Sequence, residues 1–89
     1  MRHAPGTATV AIVGGAGAVG STTAFALLES DLVGEIALVD IDDERAAGQA
    51  ADLGHAARFD SPTTVRTGSY ADCRGADVVI VTAAPRQSA

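Results

Sequence analysis

Thr9-Val10-Ala11-Ile12-Val13-Gly14-Gly15-Ala16-Gly17-Ala18-Val19-Gly20 is the stretch that decides how this chain folds. Its first five residues are uncharged and rich in β-branched side chains, with no polar alternation, as in a strand buried on both faces of a parallel sheet. The run stops at Gly14-Gly15. From Val19 the period changes: Phe25, Leu28 and Leu32 recur at helical spacing, Ala24 and Ala26 favour helix, and the pattern dissolves over Asp31 to Gly34. A strand, a glycine turn and a helix of about three turns are expected in that order.

Outward from this unit, Glu35-Ile36-Ala37-Leu38-Val39-Asp40 reads as a second buried strand that ends on a carboxylate. Asp42 or Asp43 can cap the helix that follows, expected from Asp43 to Arg58, with Glu44 favourable at its positive end. Ala46, Ala50, Leu53 and Ala57 mark one face of it. Asp60-Ser61-Pro62 is a break, Thr64 to Gly68 a weak strand, and Ser69 to Gly75 a turn or single helical turn. Asp77-Val78-Val79-Ile80-Val81-Thr82 is the strongest strand signal in the chain. Such alternation produces right-handed crossovers and a parallel sheet. The expected class is α/β: the first half, β-α-β-α-β-β, of a Rossmann-type doubly wound parallel sheet. In that order the first strand is central and the last lies beside it, leaving Val78 to Thr82 as an open edge prone to association. Residues 1–8 are expected as a flexible leader and 9–89 as a partial nucleotide-binding domain.

The chain has 89 residues, and one domain is expected in it, with no second, substrate-binding one. Its apolar fraction of 47% excludes a disordered chain. All six basic residues are arginines, scattered against 11 acidic residues, so no basic stripe for nucleic acid exists. Cys73 has no disulfide partner and reads as an inert thiol. One cysteine with His3 and His55 far apart gives no metal-ligand spacing. Neither an apolar signal core nor an unbroken membrane-length run is present, so a cytoplasmic location is expected.

Gly15-Ala16-Gly17-Ala18-Val19-Gly20 is G-x-G-x-x-G, weak evidence alone. Here it follows a strand, opens a helix, and precedes Asp40 by 20 residues counted from Gly20, the arrangement a dinucleotide site requires. Gly15 allows the tight turn, Gly17 lets the backbone approach a pyrophosphate, and Gly20 lets the helix pack close to the strand. The pyrophosphate then lies at the helix N-terminus, where amides and the dipole favour an anion. Asp40 accepts hydrogen bonds from ribose hydroxyls. It would repel a 2′-phosphate, and Ile41 offers no phosphate ligand, so NAD is expected rather than NADP. The competing reading is a glycine-rich turn with a strand-end Asp and no ligand.

Four blocks of this sequence resemble the amino-terminal NAD-binding half of the lactate/malate dehydrogenase family. They are Val13 to Gly20, Ile36 to Asp40, Ala47-Gly48-Gln49-Ala50-Ala51-Asp52-Leu53-Gly54-His55-Ala56, and Gly75 to Ala84. The third is the most specific, because generic Rossmann domains lack a small-residue helix running into Asp-Leu-x-His. The resemblance spans Val10 to Gln87. It implies that NAD is lined by Val19, Asp40, Arg45, Tyr70, Ala84 and Pro85, with Arg86 approaching the pyrophosphate. Arg45 read by itself is equally a solvated first-turn residue, and Tyr70 a packing aromatic.

Gln87 falls, counting without a gap from Val78, where lactate enzymes carry Gln and malate enzymes carry Arg. The resemblance therefore implies an L-lactate dehydrogenase, transferring hydride between (S)-lactate and NAD to give pyruvate in glycolytic carboxylic acid metabolism. Malate dehydrogenase and a non-catalytic nucleotide-binding remnant are the alternatives. The family's carbonyl-polarising Arg, substrate-clamping Arg, Asn and Asp–His pair lie beyond Ala89, so no catalytic residue is expected in this chain, which is expected to be inactive alone. His55 is satisfied at a helix C-terminus by the dipole and is not the family's acid/base. Ala47, Gly48 and Ala51 correspond to a helix used in subunit contact, so the intact enzyme is expected to be a homodimer or homotetramer. Two residues depart from the family pattern. Gly14 replaces a strand-ending Val or Ile, at an expected cost of about 0.5–1 kcal/mol, and Ala84 replaces a Gly beside the cofactor.

Overall fold

A computed structural model describes residues 7–14, 17–30, 32–56 and 62–82. Chain order is β1 (Ala8–Val13), α1 (Ala18–Ser30), β2 (Val33–Val39), α2 (Asp43–Ala56), β3 (Thr64–Gly68), α3 (Asp72–Gly75) and β4 (Val78–Val81). The strands form one sheet in the order β3-β2-β1-β4, and every pairing is parallel. The first strand is central and the last lies beside it, as the sequence pattern requires. The chain winds outward from β1 to β3, then crosses back to β4, so the order reverses between β1 and β4. In a doubly wound sheet that reversal opens a crevice at the carboxyl ends of the strands.

Alternate residues of the strands supply one continuous core. Val10 and Ile12 of β1, Ile36 and Leu38 of β2, and the partly buried Val65 and Ile80 of β3 and β4 share a face of the sheet. Ala24 and Leu28 of α1 and Leu53 of α2 cover it. Ala11, Ala37 and Val39, on the opposite face, are also buried. β1 is thus enclosed on both sides, which explains its unbroken apolar run.

Some positions differ from the sequence reading. β2 begins at Val33, two residues earlier than expected, because Val33 pairs with Ala8 before a shift in register. Helix α1 turns Gly20, Ala24 and Leu28 inward, whereas Phe25 is 46% and Leu32 62% exposed. Small residues at the inward positions let the helix axis approach the sheet, and Phe25 is one residue, or about 100°, off that line. Leu32 lies past the helix end.

Gly14 does not weaken β1. It follows the strand at a φ of 83°, the left-handed region where a Cβ is unfavourable. Its amide donates to the Val39 carbonyl at 2.7 Å, and its carbonyl accepts the Gly17 amide at 3.0 Å. Glycine suits this turn, which corrects the expected packing cost.

β4 is sewn to β1 at both ends. Asp77 and Thr9 exchange two hydrogen bonds, amide to carbonyl at 2.8 Å and amide to Asp77 Oδ2 at 2.7 Å. At the other end the Thr82 amide donates to the Val13 carbonyl at 2.9 Å, and the Thr82 hydroxyl reaches the same oxygen at 3.0 Å. Among the described residues nothing pairs with the remaining edge of β4, where Val78, Val79 and Val81 are 50%, 42% and 69% exposed. The leader through Gly6, together with Gly15, Ala57, Arg58, Ala84, Pro85, Arg86 and Gln87, lies outside the described residues.

Candidate functional site

At the carboxyl ends of β1, β2 and β4 lies a cleft of about 510 Å³. Its walls include Gly17, Val19, Gly20, Asp40, Arg45 and Tyr70, so six residues singled out from the sequence converge from four different segments. Gly14, Ile41 and Thr82 also line it.

The turn after β1 makes the floor. Gly17 donates to the Gly14 carbonyl, and a Cβ on Gly17 would stand 3.3 Å from that oxygen, so the close backbone turn favours glycine. The first bond of α1 runs from the Ser21 amide to the Gly17 carbonyl at 2.9 Å. The amides of Ala18, Val19 and Gly20 precede it at the positive end of the helix. No acidic residue occupies the first turn of α1, so nothing there opposes an anion. Gly20 is buried.

Asp40 stands immediately after β2. Its Oδ1 accepts the Asp42 amide at 3.0 Å, which holds the carboxylate at the mouth of the cleft. Asp42 is the cap of α2, since its Oδ1 accepts the Arg45 amide at 3.0 Å and its carbonyl accepts the Ala46 amide. The expectation that Asp42 or Asp43 caps the helix resolves to Asp42. Ile41, between the two carboxylates in sequence, is 88% exposed, and Val19, which also lines the cleft, is 66% exposed. Exposed aliphatic side chains flanking a carboxylate offer cover for an apolar ring system.

Tyr70 enters from the turn between β3 and α3. The residues that hold this turn, Arg66 and Asp72, escaped the sequence reading. Arg66 Nη2 donates to Asp72 Oδ1 at 2.9 Å and to Glu35 Oε1 at 3.1 Å. The Arg66 guanidinium, with a contribution from the Ser69 amide, holds the Asp72 carboxyl below the usual carboxylate range. The signal was present as Ser69-x-x-Asp72, a capping-box spacing. His55 is exposed in the last turn of α2 and does not line the cleft. Cys73 is a free thiol in α3, also away from the cleft. Among the described residues no cluster of metal-ligating side chains exists, and no helix is long and apolar enough to cross a membrane.

Residues 8–89 match the family described as lactate/malate dehydrogenase, NAD binding domain. The chain belongs to the lactate/malate dehydrogenase family. L-lactate dehydrogenase 1 of Clostridium acetobutylicum is 48% identical over 73 residues, which is 82% of this chain and 23% of that protein. A lactate dehydrogenase from a Medee basin deep-sea metagenome library superposes with a TM-score of 0.82 at 36% identity, covering 92% of this chain and 26% of that one. Cryptosporidium parvum malate dehydrogenase superposes with a TM-score of 0.78 at 35% identity, covering 89% of this chain and 26% of that one. The chain thus spans about a quarter of the length of these relatives, and the part it spans matches the family's NAD binding domain over residues 8–89.

Proposed function

We propose that this chain is the NAD-binding portion of an L-lactate dehydrogenase and that the cleft is where the cofactor lies. The convergence of Gly17, Val19, Gly20, Asp40, Arg45 and Tyr70 on one cleft carries this reading. The glycine turn admits a pyrophosphate against the α1 amides, and Asp40 accepts from the adenosine ribose. Val19 and Ile41 flank the ring systems, and Arg45 and Tyr70 complete the lining. Gly15, Ala84, Pro85 and Arg86 complete the site on the family pattern.

Bound NAD supplies a hydride acceptor or donor. The residues of this chain bind and orient it, and the proton-transferring and substrate-clamping groups belong to the remainder of the enzyme. Gln87 is assigned to the methyl end of pyruvate, where a neutral amide suits a substrate with one carboxylate. The malate reading keeps support from the structural likeness to a malate dehydrogenase. Gln87→Arg in a complete enzyme discriminates between them: a shift of preference from pyruvate to oxaloacetate supports the lactate assignment, and an unmoved preference refutes it.

Ala47, Gly48 and Ala51 are exposed on α2, and a Cβ at Gly48 would meet nothing within 4 Å. Packing among the described residues does not account for these small residues. This supports their use in subunit contact in a homodimeric or homotetrameric enzyme. Calorimetry of the 89-residue chain with NAD and with NADP tests the site itself; equal affinities would remove the role given to Asp40. The isolated chain is expected to give no lactate oxidation above background.

A further inference from the structure

We infer that Asp72 is a positioning residue that sets Tyr70 against the nucleotide cleft, with Arg66 holding Asp72 in place; this rests on the reading of the cleft as the cofactor site. Tyr70 is 60% exposed, so packing does little to fix its ring. The backbone beneath it is closed instead. The Ser69 amide donates to Asp72 Oδ2 at 2.7 Å, and the Asp72 amide donates back to the Ser69 carbonyl at 2.9 Å. Tyr70 and Ala71 are enclosed between these reciprocal bonds, and the Tyr70 carbonyl accepts the Cys73 amide at 3.1 Å.

The carboxylate is itself oriented from both sides. Arg66 reaches it from β3 and is braced by Glu35 of β2, which ties the turn to the sheet that also carries Asp40. Gly68 completes the arrangement: a Cβ there would fall 2.7 Å from Asp72 Oδ2 and 3.2 Å from the Ala37 Cβ. The strand leaves space where the carboxylate must lie. A turn held in this way fixes the backbone from which the Tyr70 ring projects, so less backbone freedom is lost when a ligand packs on it, which favours binding through preorganisation.

Tyr70 is the only tyrosine and the chain has no tryptophan, so ultraviolet emission beyond the phenylalanine region reports on this residue alone. The experiment compares wild type, Asp72→Ala and Asp72→Glu. It reads Tyr70 anisotropy and acrylamide quenching without ligand, then NAD affinity by calorimetry, with far-UV circular dichroism to establish folding. Asp72→Ala is expected to lower the anisotropy, raise quenching and weaken NAD binding about three- to tenfold, equivalent to about 0.7–1.4 kcal/mol. Asp72→Glu, which retains a carboxylate able to reach back to the Ser69 amide, is expected to restore most of both. If Asp72→Ala does not fold, Arg66→Met, on a side chain 41% exposed, is expected to show the same two changes to a smaller degree.

Unchanged Tyr70 emission in a folded Asp72→Ala chain overturns the inference. So does a loosened Tyr70 with unaltered NAD affinity, because the turn would then not serve the cleft. A Tyr70 that loosens in a protein whose wild type binds no NAD refutes the cofactor reading while supporting the restraint of Tyr70 by Asp72.

Discussion

The Asp42 amide donates to Asp40 Oδ1 at 3.0 Å, and the same Asp42 caps helix α2 through the Arg45 amide. One turn therefore ends β2, starts α2 and fixes the direction of the carboxylate at the cleft. Asp40→Asn keeps an oxygen able to accept the Asp42 amide but removes the negative charge. The NADP-to-NAD affinity ratio is expected to rise about tenfold, since a carboxylate within a few ångströms of a 2′-phosphate costs on the order of 1–4 kcal/mol. Parallel calorimetric titrations measure the ratio; a ratio equal to wild type would show that charge at this position does not select the cofactor.

Gly14 is expected to resist substitution despite lying outside every regular element. At its φ of 83° an L side chain is strained, so Gly14→Ala should cost about 1–2 kcal/mol. Urea denaturation measures this as a lower midpoint at constant slope. A neutral result would mean the turn relaxes to negative φ.

Asp77→Ala removes the acceptor of the Thr9 amide while leaving the backbone bond in the opposite direction. The expected loss is about 0.5–1.5 kcal/mol. It should be seen first as faster hydrogen exchange at Thr9 and along β4. Uniform acceleration across the whole sheet would instead indicate that this edge strand does not open locally.

The ion pair under Tyr70 has a pH signature with a defined sign. The folded state lowers the Asp72 carboxyl below its unfolded value, first through the Arg66 hydrogen bond and then through the Ser69 amide. Its contribution is therefore present above the unfolded carboxylate value of about 4 and is lost as pH falls through the lower folded value. Thermal melts of wild type and Asp72→Asn should differ at neutral pH and converge as pH falls below about 4. Arg66, whose own pKa is raised by the same partners, stays charged throughout. A gap that is independent of pH would assign the effect to packing.

Val79 and Val81 stand exposed on the open edge of β4. The chain is expected to self-associate with rising concentration, and Val81→Lys to suppress this by placing a charge on the edge. Sedimentation velocity decides, and identical profiles for the two proteins would put the association surface elsewhere.

Much of this molecule was legible from spacing alone. Thr9 to Val13, Glu35 to Asp40 and the glycines between them carry local signals: β-branched runs, a change of period, and a carboxylate 20 residues beyond Gly20. Each depends on backbone geometry within a few residues, or on one strand–helix–strand passage of regular length. The order of strands followed from the usual order of the doubly wound fold, with the first strand central and the last beside it. The family likeness placed Arg45 and Tyr70 by correspondence, while their convergence on one cleft is a product of the fold.

What the sequence by itself determined is the alternation of elements, the parallel sheet with β1 at its centre, and the spacing of the glycines and Asp40 on which the proposed nucleotide site rests. Tertiary structure alone decided that Gly14 occupies a left-handed turn, that Phe25 faces outward, and that Asp72 accepts both the Arg66 guanidinium and the Ser69 amide. It also gave the open edge expected at β4 its extent, with Val78, Val79 and Val81 42–69% exposed. The reason is physical: periodicity and turn chemistry act between neighbours in the chain, whereas burial and carboxylate partners are set by segments that meet only when the sheet assembles.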